Sequence, residues 1–177
     1  MGFLGGNFPS KGAGKTGGLS PLLSEFVRAP RSRAWTVEPQ PGLHFRRHST
    51  PTEQVHGFYE PAFCVIAQGS KNILLGENSF RYDPAHYLIS TVKLPLIGQV
   101  VDASPERPCL GFRLVLDPSV VMSVMVESCL AQPRGDDSVK AVDVSPLDAN
   151  LLDATLRLVR LDRHIKRVRR SRAARRP

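Results

Sequence analysis

Short apolar segments that alternate with turn signals constrain this chain more than any other feature between residues 43 and 116. The segments LHFRRHS, AFCVIAQG, HYLIST and CLGFRLVL have the length, and mostly the period-two spacing, of β-strands. Gly76-Glu77-Asn78 and Asp83-Pro84 separate such segments, and Gly, Asn, Asp and Pro are typical turn residues. Strands separated by turns at intervals of about ten residues predict an antiparallel β-barrel or sandwich.

The expected core of this β structure lies in the apolar positions of the predicted strands. A chain of 177 residues that is 41% hydrophobic is long and apolar enough for one domain with a buried core. The residues expected to be mostly buried are Phe63, Val65, Leu74, Leu88, Val100, Phe112 and Leu114.

Helical signals flank the predicted strands. The segment SPLLSEFVRA predicts one or two helical turns before the strands, followed by an irregular linker, PRSRAWTVEPQPGL. After the strands, Asp117-Pro118 reads as an N-cap followed by proline at the first helical position. The segment SPLD predicts a second helix, with Ser145 as cap and Asp148 in the capping-box position. The residues of its narrow apolar seam, a candidate dimerisation surface, are Leu147, Leu151, Ala154, Leu158 and Leu161.

The positive charge of the chain is concentrated at its C-terminus. Residues 163–177 contain eight of the 24 Lys and Arg and none of the 16 Asp and Glu, so residues 1–162 have no net charge. The predicted organisation is a disordered leader over residues 1–18, a folded domain over residues 19–161 and a basic, disordered tail over residues 162–177. The tail has no aromatic residue for base stacking, so any contact with nucleic acid would be electrostatic and non-specific.

The residues do not form a recognisable catalytic, metal or cofactor motif. Gly14-Lys15-Thr16 resembles the end of a phosphate-binding loop, but Pro9 replaces the first glycine of that motif. His44 and His48 lie four residues apart and no H-x-H pair occurs, so no metal ligands and no catalytic residues are assigned. Because the chain has three widely spaced cysteines and no membrane-length apolar run, a cytoplasmic location is expected.

Residues 58–118 carry a more specific pattern. In order, the chain contains YEP at 59–61, QGSK at 68–71, YDPAHYL at 82–88, LP at 94–95 and SPERP at 104–108. This succession resembles the N-terminal domain of AraC-type transcription regulators, and the resemblance extends from about residue 20 to about residue 161.

The resemblance implies a cupin-like antiparallel β-barrel of the jelly-roll type, followed by two α-helices, that senses a small-molecule effector and dimerises. In such regulators a separate C-terminal domain with two helix-turn-helix units binds the promoter. The chain is therefore expected to be truncated before that domain and not to bind specific DNA alone. Its expected partners are an effector, a second copy of itself, or a full-length relative.

Polar residues within apolar strands are the candidates for effector contact. We expect Gln68, Tyr87, Gln99 and Arg113 to orient a ligand inside the barrel, because a buried polar group needs a partner. For each residue, exposure on the outer side of the sheet is an equally good interpretation. Two other functions stay open: a cupin enzyme acting on a small metabolite, and a dimerisation fragment that inhibits a full-length relative.

Overall fold

The computed structural model describes residues 18–26, 34–129 and 140–173. The strands are β1 (Ala34–Gln40), β2 (Leu43–His48), β3 (Val55–Tyr59), β4 (Ala62–Gln68), β5 (Ser70–Leu75), β6 (Asn78–Tyr82), β7 (His86–Ser90), β8 (Leu94–Asp102), β9 (Cys109–Val115) and β10 (Val142–Pro146). The helices are α1 (Leu19–Phe26), α2 (Pro118–Glu127) and α3 (Ala149–Ala173).

The strands form two antiparallel sheets. The six-stranded sheet has the order β1-β2-β9-β4-β7-β10, and the four-stranded sheet has the order β3-β8-β5-β6. Gly69 links β4 of the first sheet to β5 of the second with a positive φ of 83°. A Cβ at this position would lie 2.9 Å from Cα of Cys109 and would strike the Asp102 carbonyl, so only glycine fits where the chain crosses between sheets.

Helices α1 and α3 cover one face of the six-stranded sheet. Alternate residues of β2, β4 and β9 point toward these helices, as the pleat of a strand requires. The helix-side cluster consists of the buried residues Leu19, Leu23, Leu43, Phe45, Val65, Ala67, Leu110, Phe112, Leu147 and Val159.

The opposite face of the same sheet packs against the four-stranded sheet. The inner cluster between the sheets consists of Ala62, Cys64, Ile66, Ile73, Tyr82, Leu88, Leu96, Val100, Cys109 and Val142. The two clusters are therefore built from opposite faces of shared strands, and this arrangement confirms the predicted mainly β, cupin-like fold.

The predicted core agrees with the structure at most positions. Val65, Leu88, Val100 and Phe112 are buried. Phe63 and Leu114 are half-buried against the helix-side cluster, and Leu74 is half-buried on the outer side of β5. The predicted hairpin is formed by β5 and β6, with Gly76 at a positive φ of 58°.

The helix caps agree with prediction in one place and differ in another. Asp117 caps α2, and its Oδ1 accepts a hydrogen bond of 2.8 Å from the Ser119 backbone amide. The predicted cap at Ser145 is wrong, because Ser145 lies in β10, opposite Tyr87 of β7. Asp148 caps α3 instead, since its Oδ1 accepts from the backbone amides of Asn150 and Leu151.

Three further predictions differ from the structure or lie outside it. The predicted irregular linker contains β1, which pairs with β2 along one edge of the six-stranded sheet. Helix α3 continues past Leu161 to Ala173, so residues 162–173 of the predicted disordered tail are helical. The predicted leader lies outside the described residues, apart from Gly18.

Candidate functional site

A cavity of about 150 Å³ lies between the two sheets. Its apolar wall includes Ile66, Ile73 and Val100, and its polar wall includes Arg46 and Lys71. At about 150 Å³, the cavity is comparable to engineered protein cavities that hold one benzene molecule. The space is therefore suited to a small molecule or to a single group of a larger one.

Arg46 of β2 and Lys71 of β5 approach each other beside Gly111 of β9. Arg46 lies opposite Gly111 in β9, and Ile66 of β4 lies opposite Gly111 on its other side. A methyl group at Gly111 would lie 3.8 Å from the Lys71 ammonium nitrogen and 4.0 Å from Cβ of Arg46. The missing side chain at Gly111 thus leaves room for Lys71, which reaches across from the four-stranded sheet.

Arg113 supplies a third cation two residues further along β9. It lies between His44 of β2 and Cys64 of β4 in the sheet register, and it lines the cavity with Arg46 and Lys71. Residues diagonal to each other in a sheet are about 7–8 Å apart, so the two arginines are near neighbours on one face. Because arginine stays protonated in proteins, two of the three cations carry a fixed charge.

Carboxylates on elements beside this wall are engaged elsewhere, and Oε1 of Glu38 lies 3.9 Å from Nε2 of His44. Glu60 forms an ion pair of 2.8 Å with Lys93, and Asp102 forms one of 3.1 Å with Arg107. Among the described residues that line the cavity there is no Asp or Glu. The cavity wall therefore carries excess positive charge with no acidic side chain to neutralise it.

Several donors in the wall have no hydrogen-bond partner within the described part of the chain. Nε of Arg46 and Nε of Arg113 are buried in this state, and so is Nδ1 of His48, which donates or accepts according to its tautomer. Arg113 also donates a long hydrogen bond of 3.5 Å from Nη2 to the Glu60 carbonyl. Buried polar groups are nearly always satisfied in native proteins, so this set of open donors indicates a site for an acceptor.

The ionisation of the site follows from burial and from these cations. Burial lowers the pKa of Lys71, and the nearby Arg46 lowers it further. Burial, with Lys71 and Arg46 beside it, lowers the pKa of His48 from 6.5 to about 4. Burial also raises the pKa of Tyr59 and raises that of Tyr82 well above its ordinary value, so both hydroxyls stay protonated at neutral pH.

The four residues predicted to contact a ligand lie in different places. Gln99 and Arg113 line the cavity, and Nε2 of Gln99 donates to the Thr52 carbonyl at the end of the barrel. Gln68 does not line it, because its amide donates to the Pro108 carbonyl and accepts from Ser20. Tyr87 packs its ring against Phe63 on the helix side, 5.5 Å between centroids.

Sequence reasoning did not single out the residues that dominate the cavity wall. Arg46, His48, Lys71, Tyr59 and Tyr82 all line it. A signal was present in β2, where His44, Arg46 and His48 share the face opposite Leu43 and Phe45. Since Leu43 and Phe45 pack toward the helices, alternation directs the three polar residues inward.

The described ranges contain neither a metal-binding cluster nor a membrane-spanning helix. No group of three or more His, Cys, Asp or Glu side chains in residues 18–26, 34–129 and 140–173 could hold a metal ion. His86 is held instead by its turn, with Nδ1 2.8 Å from Oδ1 of Asp83. No helix in the described part of the chain has the length and apolarity needed to cross a membrane.

The family profile of the AraC-type transcriptional regulator N-terminus matches residues 39–168 of this chain. That match covers most of the chain, which therefore belongs to this family. A search of curated proteins found no match.

Solved structures with a similar arrangement are distant in sequence. Apo ToxT from Vibrio cholerae is 10% identical with a TM-score of 0.45, and the match covers 71% of this chain and 49% of that one. KdgF from Halomonas sp. is 13% identical with a TM-score of 0.34, and the match covers 49% of this chain and 81% of that one. The chain thus spans about half the length of ToxT.

Proposed function

We propose that the chain is an effector-binding and dimerisation domain of an AraC-type transcriptional regulator, and that the effector binds in the cavity between the sheets. The observation that carries the proposal is the set of buried, unpartnered donors on the cavity wall. A wall built only for stability would be apolar or fully hydrogen-bonded, because an open buried donor costs about 1–3 kcal/mol. Binding without catalysis and a cytoplasmic location belong to the same proposal.

A thermal-shift screen with small molecules of all charge classes tests effector binding. A true effector should raise the unfolding temperature of the wild-type chain, since it binds only the folded state. Cys64→Met should remove this response, because Cys64 lines the cavity and a longer side chain there fills it.

Cys129→Met is the matched control for this screen. Cys129 is an exposed free cysteine outside the cavity, so the response should survive its substitution. A response that persists in Cys64→Met would place the binding site elsewhere and contradict the proposal. A stoichiometric transition metal in the purified protein would favour the cupin enzyme instead.

The dimerisation part of the proposal rests on α3. Ala154 and Leu161 of the predicted seam are exposed, and Leu158 between them is half-buried. Leu147 is buried in the helix-side cluster, and Leu151 and Leu158 pack against that cluster, so Ala154 and Leu161 are the seam residues exposed to a second copy. The residues 154, 158 and 161 follow the four- and three-residue steps of a helix–helix contact.

Light scattering coupled to size exclusion tests this surface. Leu161→Glu should convert a dimer to a monomer, because it places a charge in an apolar contact. Val126→Glu is the control, since Val126 is 71% exposed on α2. Dissociation by Val126→Glu alone would place the interface on α2 and contradict the assignment to α3.

A further inference from the structure

The three cations of the cavity wall distinguish between chemical classes of effector. Arg46, Lys71 and Arg113 converge on one side of the cavity, around the gap at Gly111. Within the described residues, no ion pair involves any of the three, and the nearby Glu60 and Asp102 pair with exposed cations outside. Such a cluster is unfavourable when empty, because like charges share a partly desolvated space.

From this arrangement we infer that the effector is a small organic carboxylate, whose charge lies among Arg46, Lys71 and Arg113. This inference rests on the proposed function and assigns the chemical class of the effector. The guanidinium groups offer planar, forked donors that match a carboxylate, and Nε of Arg46 and Nε of Arg113 are each free to donate to a carboxylate oxygen.

The rest of the cavity wall indicates the chemistry of the effector beyond its carboxylate. Ile66, Ile73 and Val100 provide an apolar surface beside the cations. The hydroxyl of Tyr59 lies against Gly98, where any larger residue would strike it, so a neutral donor also faces the cavity. A volume of about 150 Å³ accommodates one aromatic ring or a short aliphatic chain.

The ionisation of the wall supports the same charge preference. The pKa of His48 is lowered to about 4, so this ring is neutral at pH 7 and can accept or donate one hydrogen bond. Burial lowers the pKa of Lys71, and a carboxylate beside the ammonium would raise it again. Binding of an anion is thus coupled to retention of a proton on Lys71.

Matched pairs of probes separate charge from shape. We would measure binding of benzoate against benzamide, and of butanoate against butanamide, by calorimetry and thermal shift at pH 7.5. Sodium chloride at equal concentration accompanies the amides so that ionic strength is constant. The carboxylate of at least one pair should bind roughly 10- to 100-fold more tightly than its amide, as the loss of a buried charge-assisted hydrogen bond predicts.

Substitution of Lys71 then locates the interaction. Lys71→Met should weaken carboxylate binding roughly 10- to 100-fold and leave amide binding within about threefold. Lys140→Met is the control, because Lys140 is an exposed lysine paired with Asp143 on β10. If Lys71→Met does not fold, Arg46→Met serves for the same measurement. The comparison of each carboxylate with its amide in the wild-type chain tests the charge preference without any variant.

The outcomes distinguish this inference from the proposed function. Amides that bind as tightly as their carboxylates, with binding lost in Cys64→Met, would overturn the carboxylate assignment and leave effector binding in place. Carboxylate binding that survives both Lys71→Met and Arg46→Met would overturn the assignment of the site. If no probe binds to the wild-type chain, the inference is wrong, and effector binding then depends on the broader screen.

Discussion

The helix side and the cavity side of the six-stranded sheet are built from alternate residues of the same strands. In β2, Leu43 and Phe45 point to the helices, whereas His44 and Arg46 lie on the other face. In β9, Leu110 and Phe112 belong to the helix-side cluster, and Gly111 between them opens the cavity. One strand therefore contributes both to a closely packed core and to a polar cavity wall.

The difference between the two faces shows how stability and binding are divided. On the helix side, aromatic rings pack against one another, with 6.1 Å between the centroids of Phe45 and Phe112. On the cavity side, cations and open donors interrupt the inner cluster, which costs stability until a ligand supplies the missing partner. We infer that the helix side supports the fold and that the cavity side is free to vary with the effector.

The largest expected effect comes from truncating one large apolar side chain on each face. Leu110→Ala, on the helix side, should lower the free energy of unfolding by about 2–5 kcal/mol, because Leu110 is fully buried. Ile66→Ala, on the cavity side, should cost less, near about 2 kcal/mol, since Ile66 already borders empty space. Urea denaturation measures both values. A larger loss for Ile66→Ala would contradict the division of roles.

A smaller effect of opposite sign is expected at Lys71. Lys71→Met should raise the free energy of unfolding by about 1–3 kcal/mol at pH 7, because it removes a half-buried cation that has no ion-pair partner among the described residues and keeps similar volume. The folded-state pKa of Lys71 lies below its ordinary value, so the wild-type chain gains stability as pH rises toward 10.5. The advantage of the variant should therefore shrink in alkaline solution.

Lys140→Met is the control for this stability measurement as well. Lys140 is exposed, and such surface substitutions change stability by at most about 0.5 kcal/mol. Denaturant titration at several pH values measures the free energy of unfolding of both variants. Equal changes in the two variants would show that the charge of Lys71 does not destabilise the folded chain. That result would contradict the inference that the cavity wall is destabilising until a ligand binds.

The predictable part of the fold came from the period-two strands between residues 43 and 116. Three strands, β1, β3 and β10, were missed. Strand β3 is an edge of the four-stranded sheet, and its first four residues are exposed. Strand β1 is an edge strand whose first three residues are exposed, so it lacks the apolar alternation that identifies a strand. Strand β10 ends at Pro146, where a serine and a proline also match the start of a helix, and only pairing with β7 decides between them.

The cavity wall was harder to predict than the strands, because both faces of the six-stranded sheet are covered. Alternation separates Phe45 from Arg46, but it does not say which face meets helices and which meets the second sheet. A cation such as Lys71 would ordinarily be assigned to solvent. The crossing at Gly69 and the space left by the missing side chain at Gly111 bring it inside, and both depend on contacts between distant segments.

The smallest predicted effect is a pH dependence of stability that arises from His48 on the cavity side. The pKa of His48 is about 4 in the folded chain and about 6.5 when unfolded, so the unfolded chain takes up a proton first as pH falls. Stability should therefore fall between pH 6.5 and 4, by about 1 kcal/mol after allowance for partial solvent screening. The charged groups facing His48 are Lys71 and Arg46, and Cys109 lies opposite it in β9. Both cations lower the pKa of His48, so they act in the same direction as burial.

His48→Gln should abolish this component of acid sensitivity, because glutamine keeps a polar side chain without a titrating proton. His56→Gln is the matched control, since His56 is exposed on β3 and does not line the cavity between the sheets. The measurement is the unfolding free energy of the three chains at pH 7, 5.5 and 4. A pH dependence unchanged in His48→Gln would mean that the cavity side does not oppose a further positive charge, and the electrostatic contrast between the two faces would fail.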